Sequence, residues 1–395
     1  MRCKSSEIAV HLCMIIEKIF LLNFKNIEEA ELQFSSKVNY FFGDNGMGKT
    51  NLLDALYYLS FTKNYTNLSD SQLIMHDRDF AVLQGSYTEK EGVEEIYCGI
   101  KRKQKKIFKR NKKEYERLSE HIGLLPLVMI SPADSELIQG GSDERRKFVD
   151  MLICQYDKEY MRTLIHYNKA LQQRNALLRM NPPPPPDPLK GEKENGDEVF
   201  ALWEDQMAIS GQIIYEKRKA FIEEFRPLFQ VYYREICNNH ETVDLKYESH
   251  LAQTSLADLL REKRSRDQLL GYTSVGIHKD DFHFLLDEYL IRKIGSQGQN
   301  KTYLIALKLA QFNLLVQKGA SVPILLLDDL FDKLDAKRVE QIIHLVSQPT
   351  FGQIFITDTN RKYLDETLAG MQHNYKLFYV NKGQINETDE FTTHR

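Results

Sequence analysis

A chain of 395 residues has room for two or three domains, or for one domain with a large insertion, and 42% hydrophobic with 28% charged residues is an ordinary globular balance. A formal net charge of −3 excludes a protein that meets nucleic acid through its overall charge, so any such partner must find a local patch. The scattered Cys3, Cys13, Cys98, Cys154 and Cys237, without C-x-x-C spacing, argue against a disulfide frame or zinc site and for a reducing compartment, and no apolar run reaches the roughly 18 residues of a membrane helix.

Residues 8–16 have some character of a signal-peptide core. His11 interrupts them, Glu17 and Lys18 follow at once, and no small-residue cleavage site is present. The working fold is therefore expected to begin at Met14, with residues 1–13 an added tail or a misassigned start. Ile16, Lys18, Phe20, Leu22 and Phe24 share one side of a period-2 strand. A second strand is expected over 30–34 and a third over 38–42, ending at a glycine loop. Residues 51–60 then read as a helix, with Leu52, Leu53, Leu56 and Tyr57 on one face. Short antiparallel strands are expected over 80–117, and a short buried strand over 124–130.

Residues 144–179 look helical. Residues 181–198 include five consecutive prolines, which lack amide hydrogens and cannot continue a helix. They read as an exposed connector between two helices. Residues 200–270 are expected to be helical again, without the sustained heptads of a long coiled coil. Strand signals return from Tyr272. Residues 301–318 form a helical pattern, with Leu304, Leu307, Ala310 or Gln311, and Leu314 in step. Residues 322–327 are continuously apolar, as in a central parallel strand, and 353–357 are similar. The expected fold class is α/β: a lobe with a mixed sheet, formed by residues 1–140 and 271–395 and split by a helical arm at 141–270.

Gly43, Asp44, Asn45, Gly46, Met47, Gly48, Lys49 and Thr50 match the phosphate-loop pattern G-x-x-x-x-G-K-[ST]. A hydrophobic strand enters the loop and an amphipathic helix leaves it, which is the context the pattern needs. Glycines let backbone amides approach phosphates, and the helix N-terminus adds partial positive charge. Lys49 should reach the β- and γ-phosphates of ATP, and Thr50 should hold Mg²⁺. Asp328 ends a buried apolar strand and suits the same Mg²⁺. Asp329, next to it, is placed to orient or deprotonate the attacking water. Two carboxylates behind a buried strand call for a cation.

Lys49 and Asp328 lie 279 residues apart. A gap that long, filled with helices, points to the ABC-type P-loop ATPases that work on chromosomes. Ser296, Gln297, Gly298 and Gln299 open the helix that follows and resemble the signature sequence of those proteins. There Ser296, Gly298 and Gln299 would bind the γ-phosphate held by a second subunit. Ordinary serine capping is the alternative for Ser296.

With these motifs in order, the chain resembles the RecF family of bacterial DNA replication and repair ATPases from about Met14 onward. Residues 19–32 resemble the family's opening hairpin, and 43–60 its nucleotide loop, including Asn51. The paired arginines in 142–150, the arm helix at 167–179, the Gly-x-His-Lys-Asp-Asp segment in 275–284, and residues 296–301 and 325–335 complete the set. Asn300 stands where the family often has glutamine, and Lys279 where arginine is common. The resemblance implies a cytoplasmic ATPase that dimerises around ATP, hydrolyses it slowly and binds double-stranded DNA at single-strand gaps. It also implies partnership with RecR- and RecO-like proteins in loading RecA recombinase, and a link to the SOS response.

Residues 101–117 form the plainest basic stretch, and Lys101, Arg102, Lys105, Lys106, Lys109 and Arg110 are candidate phosphate contacts. A charged hairpin that merely stays solvated is an equal reading. Arg145 and Arg146 are either phosphate contacts or helix-to-sheet salt bridges. His278, Asp280 and Asp281 read as structural rather than metal-binding. Thr357 or Thr359 is placed to sense the γ-phosphate. Two other functions share parts of this pattern. One is the ATPase subunit of an ABC transporter, whose usual glutamate is here Asp329. The other is a related chromosome ATPase with nuclease or coiled-coil parts.

Overall fold

The computed structural model describes residues 14–66, 68–89, 92–180, 194–237, 241–319, 321–330, 334–359 and 374–388. In chain order the first elements are β1 (Ile15–Phe24), β2 (Ile27–Gln33), β3 (Val38–Phe42) and α1 (Lys49–Phe61). Next come β4 (Phe80–Glu89), β5 (Gly92–Lys101), β6 (Ile107–Arg110), β7 (Lys113–Glu114) and β8 (Leu127–Ile130). The middle of the chain holds α2 (Ser135–Gln139), α3 (Ser142–Tyr156), α4 (Lys158–Met180), α5 (Glu194–Cys237), β9 (Val243–Glu248) and α6 (Leu256–Leu270). After it come β10 (Asp281–Leu286), β11 (Tyr289–Leu290), α7 (Ile291–Ile294) and α8 (Gln297–Gln317). The last described elements are β12 (Ile324–Asp328), α9 (Ala336–Val346), β13 (Ile354–Asp358), β14 (Tyr375–Asn381) and β15 (Gln384–Thr388).

The chain divides into two units. The first comprises Met1–Asp134, Tyr232–Asn239 and Gln297–Arg395, and the second Ser135–Val231 and His240–Ser296. Two six-stranded sheets build the first unit. One runs β2-β1-β4-β5-β6-β7 and is antiparallel throughout. The other runs β15-β14-β3-β13-β12-β8, parallel except for the β15 edge. Every residue of β3, β8, β12 and β13 is buried, as expected of parallel strands covered on both faces. Phe41 stacks on Phe378 with centroids 4.7 Å apart, and Phe34 meets Phe355 edge-on at 4.9 Å. Gln353 joins the two sheets: its amide accepts from Ile16 N (2.9 Å) and donates to the carbonyls of Ile16 and Ser35 (2.8 Å each).

The second unit departs from a purely helical arm. Val243 and Leu245 alternate with polar residues, and β9 pairs antiparallel with β10, which also carries β11. One strand of the three, β9, thus lies inside the stretch expected to be helix, whereas β10 and β11 fall after Tyr272, where strand signals return, and the unit runs on to Ser296. Ser255 caps α6 by accepting from Asp258 N, and Gly271, at φ 70°, closes it. The connector expected at 181–198 lies outside the described residues over 181–193, but from Glu194 the backbone is already α5. Residues 1–13 also lie outside them. No helix among the described residues is long and apolar enough to cross a membrane.

Candidate nucleotide site

Strand β3 delivers the phosphate loop and α1 leaves it, with the helix starting at Lys49. Gly48 has φ 112°, and a Cβ there would stand 2.7 Å from Asn26 Oδ1; one on Gly43 would meet the Val380 carbonyl at 2.2 Å. Both positions therefore need glycine. Gly46, at φ 79°, faces open space, and Asp44, Asn45 and Gly46 are exposed. The two-residue turn between β1 and β2 braces the loop. Asn26 donates to the Met47 carbonyl (3.2 Å) and accepts from the Asn51 amide (2.7 Å). From the β14–β15 turn, Gly383 N also donates to Met47 O (2.8 Å).

Lys49 is only 4% exposed. Its Nζ donates to the carbonyls of Gly43 (2.7 Å) and Asp44 (3.0 Å), the loop's own backbone. Thr50 Oγ1 donates to Asp328 Oδ1 at 2.9 Å, across 278 residues of sequence. Thr357 Oγ1 donates to the same oxygen (2.7 Å) and accepts from Asp329 N (3.1 Å). Burial holds the Asp328 carboxyl above its ordinary range, opposed by the Thr357 and Thr50 hydrogen bonds and reinforced by the charge of Asp54. Asp329 takes φ 43°, a left-handed turn straight off the strand. Of the two threonines considered for phosphate sensing, Thr357 is committed to the strand end and Thr359 is exposed.

Ser296 is exposed, directly before α8, and Gly298 and Gln299 are half-buried in its first turn. Lys308, further along α8, pairs with Asp134 at 2.8 Å. Asp134 accepts from Ser131 N (2.8 Å), and Ser131 Oγ reaches Asp328 at 3.4 Å. Helix α8 is thus linked to Asp328 through Asp134 and Ser131 within the first unit. Sequence reading missed Asn26, Ser131 and Lys308, because single polar residues carry no periodic signal.

The basic stretch is more engaged than its composition suggests. Lys106 donates to Tyr58 Oη (2.9 Å) and pairs with Asp70 (3.2 Å). Arg102 ties down the carbonyls of Arg78 (2.8 Å) and Ser71 (3.2 Å). Arg110 makes a two-pronged contact with Glu94 (2.7 Å each), which holds that carboxyl below its ordinary range. Lys109 lies over the Tyr97 ring at 5.8 Å. Lys101, Lys103, Lys105, Lys112 and Lys113 are exposed.

In the second unit Arg145, on α3, forks onto Asp281 of β10 (2.8 and 3.0 Å), and Arg146 donates to the Asp280 carbonyl. Arg145 thus makes a helix-to-sheet salt bridge, and Arg146 a hydrogen bond to the turn before β10. No metal-ligating cluster occurs among the described residues. His278 donates from Nε2 to Thr273 O (3.1 Å) and accepts at Nδ1 from Tyr167 Oη (2.9 Å), and burial pushes the imidazole down to about 4. Unfolded, a histidine takes up its proton near 6.5, so stability is full above that pH and drains away as pH falls toward 4. A His278→Gln variant should flatten the fall of Tm between pH 6.5 and 4, read by thermal scans across that range.

A largely parallel sheet, a phosphate loop and a strand-end aspartate meeting the loop threonine define an ABC-type P-loop ATPase lobe. Residues 15–386 match the family model described as the RecF/RecN/SMC N-terminal domain. The chain belongs to the RecF family. It is 68% identical over 374 residues to the DNA replication and repair protein RecF of Azobacteroides pseudotrichonymphae, covering 95% of this chain and 100% of that one. It is 57% identical over 378 residues to the RecF of Bacteroides fragilis, covering 95% and 99%. A solved RecF with ATP, described as a recombination mediator in the RecFOR pathway, superposes with a TM-score of 0.84 at 28% identity, covering 96% of this chain and 100% of that one. An Smc head domain from Pyrococcus furiosus shares the fold at a TM-score of 0.54 and 16% identity, covering 95% and 96%.

Proposed function

We propose that this chain is a cytoplasmic, DNA-binding ATPase of recombinational repair and replication, which joins in pairs around ATP and hydrolyses it slowly. The joined pair would hold duplex DNA beside single-strand gaps and, with RecO- and RecR-like partners, help load a RecA-type recombinase. The observation that carries this reading is the meeting of Thr50 and Asp328 at 2.9 Å beside the phosphate loop, in a chain that belongs to the RecF family.

Donors around that meeting point are all oxygens: the hydroxyl of Thr50, the carboxylate of Asp328, and the hydroxyls of Ser131 and Thr357 beside it. Such a set fits a hard cation, and Thr50 and Asp328 would hold Mg²⁺. When bound, Mg²⁺ would neutralise charge on the β- and γ-phosphates. Lys49 would turn from its two loop carbonyls to the phosphates, and the amides of residues 43–50 would cradle them. Asp329 would orient the attacking water. Ser296, Gly298 and Gln299 would grip the γ-phosphate held by the other copy, so that the triphosphate joins the two.

A Ser296→Arg variant tests this arrangement. It should bind ATP with unchanged affinity yet stay monomeric in light scattering, because the added side chain blocks only the distant grip. A variant that dimerises normally with ATP would refute it.

DNA would lie along the exposed lysines of the 101–113 segment, with Arg102, Lys106 and Arg110 shaping the hairpin that presents them. Changing Lys101, Lys103 and Lys105 together to glutamate should weaken duplex binding by at least tenfold. It should also lower the slope of log affinity against log salt by about two to three. Arg110→Gln should change folding stability more than DNA affinity. Anisotropy titrations at several salt concentrations read the affinity and its salt slope, and thermal unfolding reads the stability.

A further inference from the structure

Lys25 and Asp54 form an ion pair that the phosphate loop's own pattern does not call for. Lys25 sits in the β1–β2 turn at φ 52°, and its Nζ contacts Asp54 Oδ2. Asp54 is 2% exposed, and its other oxygen, Oδ1, has no hydrogen-bond partner. A carboxylate oxygen shut away from both protein donors and bulk water is costly unless something supplies a donor. Asp54 lies one helical turn after Thr50 on α1, so the two side chains share a face. Thr50 in turn donates to Asp328 at 2.9 Å, so Asp54 stands behind the residue that meets the strand-end carboxylate.

We infer that Asp54 is a positioning residue for the divalent cation: its unpartnered oxygen accepts a hydrogen bond from the cation's hydration shell, behind Thr50 and Asp328, while Lys25 fixes the other oxygen. This rests on the reading of the loop as a Mg²⁺-ATP site. Lys25 offsets one of the two carboxylates while no cation is bound. The same turn carries Asn26, which holds Met47 and Asn51. One two-residue turn therefore braces both the phosphate cradle and the residue behind the metal.

The test is the Mg²⁺ dependence of binding a fluorescent ATP analogue, with EDTA as the zero point, for the parent chain and for Asp54→Asn and Lys25→Gln. Asparagine keeps the shape and an acceptor for Lys25 but removes the charge. The half-saturating Mg²⁺ concentration should rise about tenfold or more in Asp54→Asn, the usual loss on removing an outer-shell partner, with EDTA binding unchanged. Lys25→Gln should act in the opposite sense: lower Tm without cation, and a larger gain in Tm on adding Mg²⁺-ATP than the parent shows. If Asp54→Asn keeps the parent's half-saturation point, or if Lys25→Gln weakens binding equally with and without Mg²⁺, the inference is overturned. Failure of the parent chain to bind the analogue would instead overturn the reading of the site.

Discussion

Replacing Lys49 by alanine should abolish both tight ATP binding and the joining of two copies. The side chain is held 2.7 Å from Gly43 O and 3.0 Å from Asp44 O, within the loop that the phosphates would occupy. Charge-assisted contacts to phosphate contribute about 1.5–3 kcal/mol each, and losing the cation behind two phosphates should cost on the order of 100-fold or more in affinity. Removing the ammonium also leaves the Gly43 and Asp44 carbonyls without that donor, so the empty loop should loosen. Titration with a fluorescent ATP analogue gives the affinity, and light scattering with saturating ATP gives the mass. A Lys49→Ala chain that still doubles its mass would show that the loop is not the seat of the joining nucleotide.

Arg218→Met should be the most destabilising single change in the second unit. Arg218 is 1% exposed at the centre of three elements. It forks onto Asp150 of α3 (2.9 Å), and donates to Asp280 Oδ2 (2.9 Å) and to the Ile277 carbonyl (2.8 Å). Burial opposes its charge, but Asp150 and the other acidic groups around it outweigh that and hold the guanidinium far above its ordinary range. Asp280, itself buried, is pushed up by desolvation and held down mainly by Arg218. Methionine would match the volume and leave two carboxylates short of their counter-ion. Breaking a buried pair from one side costs about 3–5 kcal/mol. Lysine at 218 should recover only part, because an ammonium cannot fork onto Asp150 and reach Asp280 together. Urea unfolding of the parent and both variants reads these differences. A loss below about 1 kcal/mol would mean that water replaces the guanidinium at the carboxylates.

Much of the nucleotide site was legible because it is written in short, contiguous patterns. The phosphate loop declares itself through glycines whose Cβ would strike Val380 and Asn26, and Asp328 through the apolar run that precedes it. The central strands were legible for the same reason: burial on both faces leaves no polar residue to blur the pattern. What escaped was carried by single residues acting across long separations. Gln353 pins Ile16 from 337 positions away, and Ser131 reaches Asp328 across 197. The β9 strand was lost in a helical expectation because six residues give a weak signal between two long helices, and its partner β10 lies far along the chain. The basic stretch shows the converse limit of composition. Composition counts Lys106, Arg102 and Arg110 as available charge, whereas packing has bound each to an acidic group or to a backbone carbonyl.

The proposed function turns on the γ-phosphate linking two copies, where Lys49 of one and the Ser296 turn of the other would grip it. Ser296 is exposed at the start of α8, as that grip requires. Multi-angle light scattering with ATP, with ADP and with no nucleotide measures this directly. The mass should double with ATP alone, and Ser296→Arg should stay at the monomer mass in all three conditions. Equal masses with ATP and ADP, or an ATP-bound parent chain that remains a monomer at micromolar concentration, would contradict it.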